Sequence, residues 1–220
     1  GRVLGFDAAG IVEAVGPDVE LFKVGDPVFY AGSIARPGTN SEYHRVDERI
    51  VGRKPESLND AEAAALPLTA ITAWEMLFDR LQVNHAPPQG GHSLLLIGGA
   101  GGVGSITIQL LRALTDLTVI ATASRPETQE WVRECGAHHV IDHRQALAPQ
   151  VKALGLGAPG FVFSTTQTDQ HLSDIVELIA PQGRFGLIDD PQDIDVKALK
   201  QKSVSLHWEF MFTRALFGTP

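Results

Sequence analysis

The sequence predicts an α/β fold built on a six-stranded, doubly wound parallel sheet. Two observations carry this prediction. The apolar run Leu94-Leu95-Leu96-Ile97 enters a glycine cluster at Gly98-Gly99-Ala100-Gly101-Gly102, and an amphipathic segment follows at once. From there to Phe212, short apolar or β-branched runs alternate with helix-like segments, the pattern of strands joined by helical crossovers. A third observation bounds the class: 44 % apolar and 20 % charged residues suit a globular chain with a core of its own.

Residues 1 to about 55 read as short strands punctuated by glycine and proline. Ala9–Val15, Pro27–Tyr30, Ser41–Val46 and Ile50–Gly52 are the strand candidates, and Ser33–Asn40 is an expected exposed loop. These strands are too few to close a sheet, and both chain ends look cut, so missing upstream strands are expected. Asn59 and Glu62 have the spacing of a capping box. Pro67 divides the helix that follows into Asp60–Ala65 and about Leu68–Leu81. His85–Gly91 is a Pro/Gly loop. Beyond the glycines, strands are expected at Thr118–Ala123, Val140–Asp142, Phe161–Ser164, Arg184–Ile188 and Val204–Phe212. Helices are expected at Glu127–Glu134, Gln145–Leu154, Gln170–Ile179 and Ile194–Lys200.

The glycine cluster has chemical content. Gly99, Gly101 and Gly104 fit G-x-G-x-x-G, which provides a tight turn, close backbone approach to a pyrophosphate, and close packing of helix on strand. Val103, Ile106, Leu110, Leu111 and Leu114 place an apolar face on the helix that begins there. The free N–H groups and positive dipole end of that helix would face phosphates. A purely structural glycine turn is the alternative. In dinucleotide-binding sheets an acidic residue after the second strand binds the ribose 2′-OH of NAD. Here that place holds Ser124-Arg125, a hydroxyl and a cation suited to a 2′-phosphate, so NADPH is the expected cofactor.

The net charge of −8 argues against nucleic-acid or anionic-membrane partners. No apolar run approaches the ~20 residues of a membrane span, and a cytoplasmic location is the default expectation. Cys135 stands alone, which excludes an intramolecular disulfide and a thiolate zinc cluster. His138, His139 and His143 surround a strand, and His139 and His143 would sit about 13 Å apart by strand rise, too far to share a metal. Asp189-Asp190 reads as a solvated loop at a strand end, and Cys135 as a packing residue. No Lys lies four residues after Tyr30 or Tyr43, so a Tyr-Lys acid pair is not supported.

Three blocks in order resemble the medium-chain dehydrogenase/reductase superfamily. Gly5-Phe6-Asp7-Ala8-Ala9-Gly10 through Val15-Gly16 and Gly25-Asp26-Pro27-Val28 is similar to its G-H-E-x-x-G…V-G…G-D-x-V block. Pro67-Leu68-Thr69-Ala70-Ile71-Thr72-Ala73-Trp74 is similar to P-x-x-G-L-T-A-W, and Gly98–Gly104 to the cofactor loop. The resemblance implies part of a GroES-like β-barrel domain over residues 1–75 and a Rossmann domain over 76–220. It is strongest for the zinc-free quinone oxidoreductase and zinc-type alcohol dehydrogenase-like branch. Phe6 stands at the family's zinc-ligating His and Leu68 at a later Cys, and neither side chain can ligate zinc.

The same carry-over implies that Thr72 approaches the nicotinamide and that Gly101, Gly102 and Val103 line the pyrophosphate. It puts Ser124, Arg125 and His143 at the 2′-phosphate, with Thr128 where that group often has Lys. The loops around Ser164 and Ile188 are expected at the cofactor's adenine, ribose and nicotinamide. The resemblance further implies hydride transfer from NADPH to a small-molecule quinone, activated alkene or carbonyl. It also implies a homodimer through the edge strand Val204–Phe212, with Phe210-Met211-Phe212 near the nicotinamide. The alternative is a shortened fragment that binds NADPH without turnover.

Overall fold

The computed structural model describes residues 1–85 and 91–219; the expected loop over 85–91 lies for the most part outside the described residues. The chain groups into two units, one of residues 1–71 with the C-terminal residues from 210, the other of residues 72–209. The boundary expected between 75 and 76 falls inside a continuing helix, and the residues from 210 group with the N-terminal unit.

The N-terminal unit holds an antiparallel sheet of β1 (Ala8–Ile11), β2 (Pro27–Tyr30) and β3 (Gly52–Arg53), with β2 in the middle. β1 ends at Ile11, short of the expected Val15, although Val12 still exchanges backbone bonds with Gly25 and Asp26. Ser41–Val46 is not a strand. A side chain anchors it: the Tyr30 hydroxyl donates to His44 Nδ1 at 3.0 Å, and His44 Nε2 donates to the Pro37 carbonyl at 2.9 Å. Ser33–Asn40 is not the exposed loop expected throughout, because Gly38, Thr39 and Asn40 donate backbone bonds to Val3, Gly5 and Leu4, and Gly38 is buried. Ile50 closes a 3-10 turn, Glu48–Ile50, rather than starting a strand.

The capping box forms at the start of α1 (Asp60–Ala64): Asn59 Oδ1 accepts from the Glu62 amide at 2.9 Å, and the Glu62 carboxylate accepts from the Asn59 amide at 3.0 Å. Pro67 opens α2 (Pro67–Trp74), which runs on as a π-helical segment, Glu75–Arg80. Proline at the first helical position loses no bond, because that N–H would lack a helical acceptor anyway.

The second unit is a six-stranded parallel sheet in the order β6-β5-β4-β7-β8-β9. The strands are β4 (Ser93–Ile97), β5 (Thr118–Thr122), β6 (His139–Ile141), β7 (Phe161–Ser164), β8 (Arg184–Leu187) and β9 (Ser205–Trp208). The crossovers use α3 (Gly102–Leu114), α4 (Pro126–Glu134), α5 (Leu147–Ala153), α6 (Thr168–Leu178) and a 3-10 helix, Val196–Lys202. Every residue of β4 and β7 is buried, as helices on both faces require. Leu94 and Leu96 face a layer containing Ile108, Leu111 and Val132; Leu95 and Ile97 face Leu147, Val151, Ile175 and Leu178. This alternation along one strand is the period-two rule with both faces apolar.

Two expectations change here. The last strand stops at Trp208 rather than Phe212, and the chain turns into α7 (Thr213–Phe217). The buried stripe of α3 is Gly104, Thr107, Ile108 and Leu111; Val103, Ile106 and Leu110 are half-buried and Leu114 is exposed. No helix among the described residues is long and apolar enough to cross a membrane.

Candidate functional site

The sheet order reverses between β4 and β7, which sends successive crossovers to opposite faces and leaves a crevice at the strand ends. A cavity of about 570 Å³ lies there. Its wall comes from the turn after β4 (Gly98, Ala100–Gly104), the loop after β5 (Thr122–Arg125, with Thr128), His143 after β6, Thr165 and Thr166 after β7, and Ile188 after β8.

The glycine turn is built by the chain itself. Gly98 takes φ +84°, a left-handed conformation that L side chains disfavour, and its N–H donates to Thr122 Oγ1 at 2.9 Å. The Gly99 amide donates to the Thr122 carbonyl at 3.1 Å, so the turn is tied to the end of β5. Gly98, outside the three motif positions, therefore supplies the positive-φ turn. At Gly104 a Cβ would lie 2.3 Å from the Gly98 carbonyl oxygen and 2.6 Å from that of Gly99. Neither backbone atom can yield, and this contact draws α3 onto the strand end.

Gly101 caps α3 without a side-chain bond. The amides of Gly102, Val103 and Gly104 lie in the first turn of the helix, which has no intrahelical acceptors, and these residues line the cavity. Their N–H groups and the helix dipole suit an anion such as a pyrophosphate.

The second wall carries the cation. Arg125 is exposed at the start of α4. Thr128 Oγ1 accepts from the Arg125 amide at 3.2 Å and donates to its carbonyl at 2.9 Å, which fixes the backbone of a residue that lines the cavity. Ser124 and His143 stand on the same wall. Thr165 Oγ1 donates to the Ile97 carbonyl at 2.9 Å and ties the loop after β7 to the end of β4. The lining thus sets Ser124, four threonines and Arg125 beside the glycine turn, a set of donors suited to an anionic ligand.

Of the residues expected at the site, the cavity gathers Gly101, Gly102, Val103, Gly104, Ser124, Arg125, His143 and Ile188. Gly99 lies in the turn beneath the lining. Thr72 is buried and outside the lining. Ser164 is also buried outside it: its Oγ lies 2.7 Å from Thr168 Oγ1 and donates to it, so that hydroxyl serves the start of α6. Thr122, Thr165 and Thr166 line the cavity without having been singled out; single threonines at strand ends form no pattern in a sequence.

Other clusters have structural roles. Asp189 is not a simply solvated carboxylate: it accepts from the Thr168 amide at 2.9 Å and from Thr168 Oγ1 at 2.5 Å, capping α6. Cys135 is buried in the core, and burial pushes its thiol pKa up. His138 accepts the Val119 amide at Nδ1 (2.9 Å), and burial with the neighbouring Arg112 holds its pKa below the usual histidine value. Among the described residues, no group of three His, Cys, Asp or Glu side chains is placed to hold a metal. Phe6 packs edge-on against Phe212 with centroids 5.2 Å apart.

Similar proteins agree with this architecture. The zinc-binding dehydrogenase family model matches residues 102–216, and the alcohol dehydrogenase GroES-like domain model matches residues 1–56. A zinc-type alcohol dehydrogenase-like protein of Staphylococcus aureus (strain Mu50) is 47 % identical over 221 residues, covering 100 % of this chain and 66 % of that protein. A solved structure from Rhizobium etli CFN 42, described as a zinc-dependent alcohol dehydrogenase, superposes with TM-score 0.97 at 69 % identity, covering 100 % of this chain and 64 % of that one. A Pseudomonas syringae quinone oxidoreductase superposes with TM-score 0.81 at 30 % identity, covering 97 % of this chain and 65 % of that one. The chain thus spans about two thirds of the length of these relatives.

Proposed function

Because this chain belongs to the medium-chain dehydrogenase/reductase superfamily, we propose that it is an NADPH-dependent, zinc-independent oxidoreductase acting on quinones or on activated alkenes and carbonyls. Members of the family bind nicotinamide cofactors. The observation that carries the NADPH reading is the cavity wall of Ser124 and Arg125, with His143, where an NAD site would present a carboxylate. The quinone oxidoreductase neighbour supports the substrate class.

When bound, the nicotinamide supplies the hydride, and the protein's part is to hold, orient and dry it. The first-turn amides of α3 would hold the pyrophosphate, and Gly104 brings that helix end close enough to do so. Ser124 and Arg125 would hold the 2′-phosphate through charge-assisted bonds. Ile188, and Thr165 with its β-methyl, give the cavity an apolar flank.

The zinc-independent part rests on Phe6 and Leu68, which stand where the zinc-dependent branch places a His and a Cys. Neither a phenyl nor an isobutyl group donates to zinc, whatever the description of the family. We further propose a cytoplasmic homodimer joined through the outer edge of β9.

Calorimetric titration with NADPH and NADH tests cofactor choice. Arg125→Ala is expected to weaken NADPH by roughly tenfold and leave NADH nearly unchanged; an unchanged NADPH:NADH ratio would overturn the assignment. Turnover with a quinone or an enone tests the reaction, and stoichiometric zinc in metal analysis of an active protein would sink the zinc-independent part. NADPH binding without turnover here, with turnover in a longer chain, would make these 220 residues the cofactor-binding portion alone.

A further inference from the structure

Asp142, Arg144 and Gln150 lie outside the cavity lining, yet they form a continuous hydrogen-bonded path to it. Gln150, on α5, accepts from the Asp142 amide at 2.9 Å and donates to the carbonyls of Asp142 (2.9 Å) and Ala146 (3.0 Å). The turn after β6 is therefore fixed on its backbone side. The Asp142 carboxylate accepts from the Arg144 amide at 2.9 Å, from Nε at 3.1 Å on both oxygens, and from Nη2 at 2.7 Å. The same Nη2 donates to the Ser124 carbonyl at 3.0 Å.

One planar guanidinium thus bridges the turn after β6 and the loop after β5. Lysine, a point charge, has no fork that could do both. Bonding to Arg144 holds the Asp142 carboxyl at about 2, so it is ionised at neutral pH. It lies one residue from His143 and is joined through Arg144 to Ser124, both on the cavity wall. A bare carboxylate there would oppose a bound anion; paired with Arg144, its charge is balanced.

We propose that Arg144 is a positioning residue for cofactor choice: it anchors the Ser124 carbonyl and neutralises Asp142, so that Ser124 and Arg125 are presented to a 2′-phosphate. This rests on the 2′-phosphate reading of Ser124 and Arg125. Arg144 touches no cofactor atom in this role. It acts through the loop it holds and the charge it cancels.

Calorimetry on the 220-residue chain with adenosine 2′,5′-bisphosphate and with 5′-AMP isolates the adenosine end of the cofactor. Arg144→Ala should weaken the bisphosphate by about tenfold and 5′-AMP by no more than about twofold. Adding Asp142→Asn to Arg144→Ala should restore part of the loss, because it removes the exposed carboxylate but not the freedom of Ser124. Arg144→Lys should lie between wild type and Arg144→Ala. An equal loss for both ligands, or no loss for either, overturns the proposal. If Arg144→Ala fails to fold, Arg144→Lys decides: a wild-type ratio of the two affinities overturns it. Arg125→Ala runs alongside. Should Arg125→Ala lose the bisphosphate preference while Arg144→Ala keeps it, Arg144 has no such role and the cofactor reading stands. Should neither variant lose it, both ideas fall.

Discussion

Gly98 and Gly104 divide the work of the glycine turn: one turns the chain at φ +84°, the other removes a Cβ that would strike two carbonyl oxygens. The motif spacing identified the turn and the close packing, but not that the residue before the motif bends the backbone. Ser124 and Arg125, singled out because a cation stands where an acid is usual, do line the cavity. Thr122, Thr165 and Thr166 were not legible, since a hydroxyl acquires its role only when the fold brings a strand end to it. Ser164, expected beside the cofactor, is buried outside the cavity lining with its hydroxyl bonded to that of Thr168. His171 supplies a prediction at this scale. It is buried on α6, and burial, then the charge of His143, push its pKa down against the opposing Asp174 and Asp169. Below its unfolded pKa of ~6.5 the unfolded chain takes up a proton that the folded one refuses. Stability should therefore be full above that pH and fall on acidification toward the lowered folded value. Urea midpoints across this range should show the slope, and His171→Gln should reduce it; His138 and His207, shifted the same way, would keep the remainder.

At the scale of elements, the strand–helix alternation of the second unit was readable because fully buried parallel strands are short, dense apolar runs. Bounds moved by a residue or two where caps decide them, and α4 starts at Pro126 rather than Glu127. The face of α3 was read one step out of phase. Gly104 and Thr107 carry no apolar signal, yet both are buried, because close packing at the glycine turn brings that side of the helix inward. Ser41–Val46 looked like a strand, but its ordering comes from the His44 ring. The capping box at Asn59 is a separable contribution. Asn59→Ala should cost about 1 kcal/mol of stability, measured by denaturant unfolding. Glu62→Ala should cost less, since the backbone N–H it satisfies can turn to water.

For the whole molecule, the six-stranded parallel sheet was legible as a class, and so were two N-terminal strands, Pro27–Tyr30 and the start of Ala9–Val15, whereas the rest of the N-terminal unit was not. The irregular segments Val3–Gly5 and Gly38–Asn40 bond to each other through the backbone and carry no periodicity, so their pairing left no sequence signal. The proposed dimer belongs to this scale. β9 bonds to β8 along one side, with Ser205 donating to Gly183 and Glu209 to Leu187, and Trp208 is exposed. Sedimentation should report a dimer, and Trp208→Lys should shift it toward monomer without lowering the melting midpoint. A wild-type monomer would rule the edge contact out.

The sheet order also sets the timetable of folding. Leu94 on β4 pairs with Val119 on β5, and on its other side with Phe161 on β7, far along the chain. Parallel partners have no hairpin shortcut, so each pairing waits for a loop closure whose entropic cost grows with its length. The β4–β5–β6 half and the β7–β8–β9 half each close over short loops, whereas joining β4 to β7 closes a long one and should come last. In stopped-flow refolding, Val119→Ala on β5 should slow folding, while Phe163→Leu, at the β4–β7 pairing, should chiefly speed unfolding. By this route the two sides of the crevice form separately, and the crevice itself appears only with the last pairing.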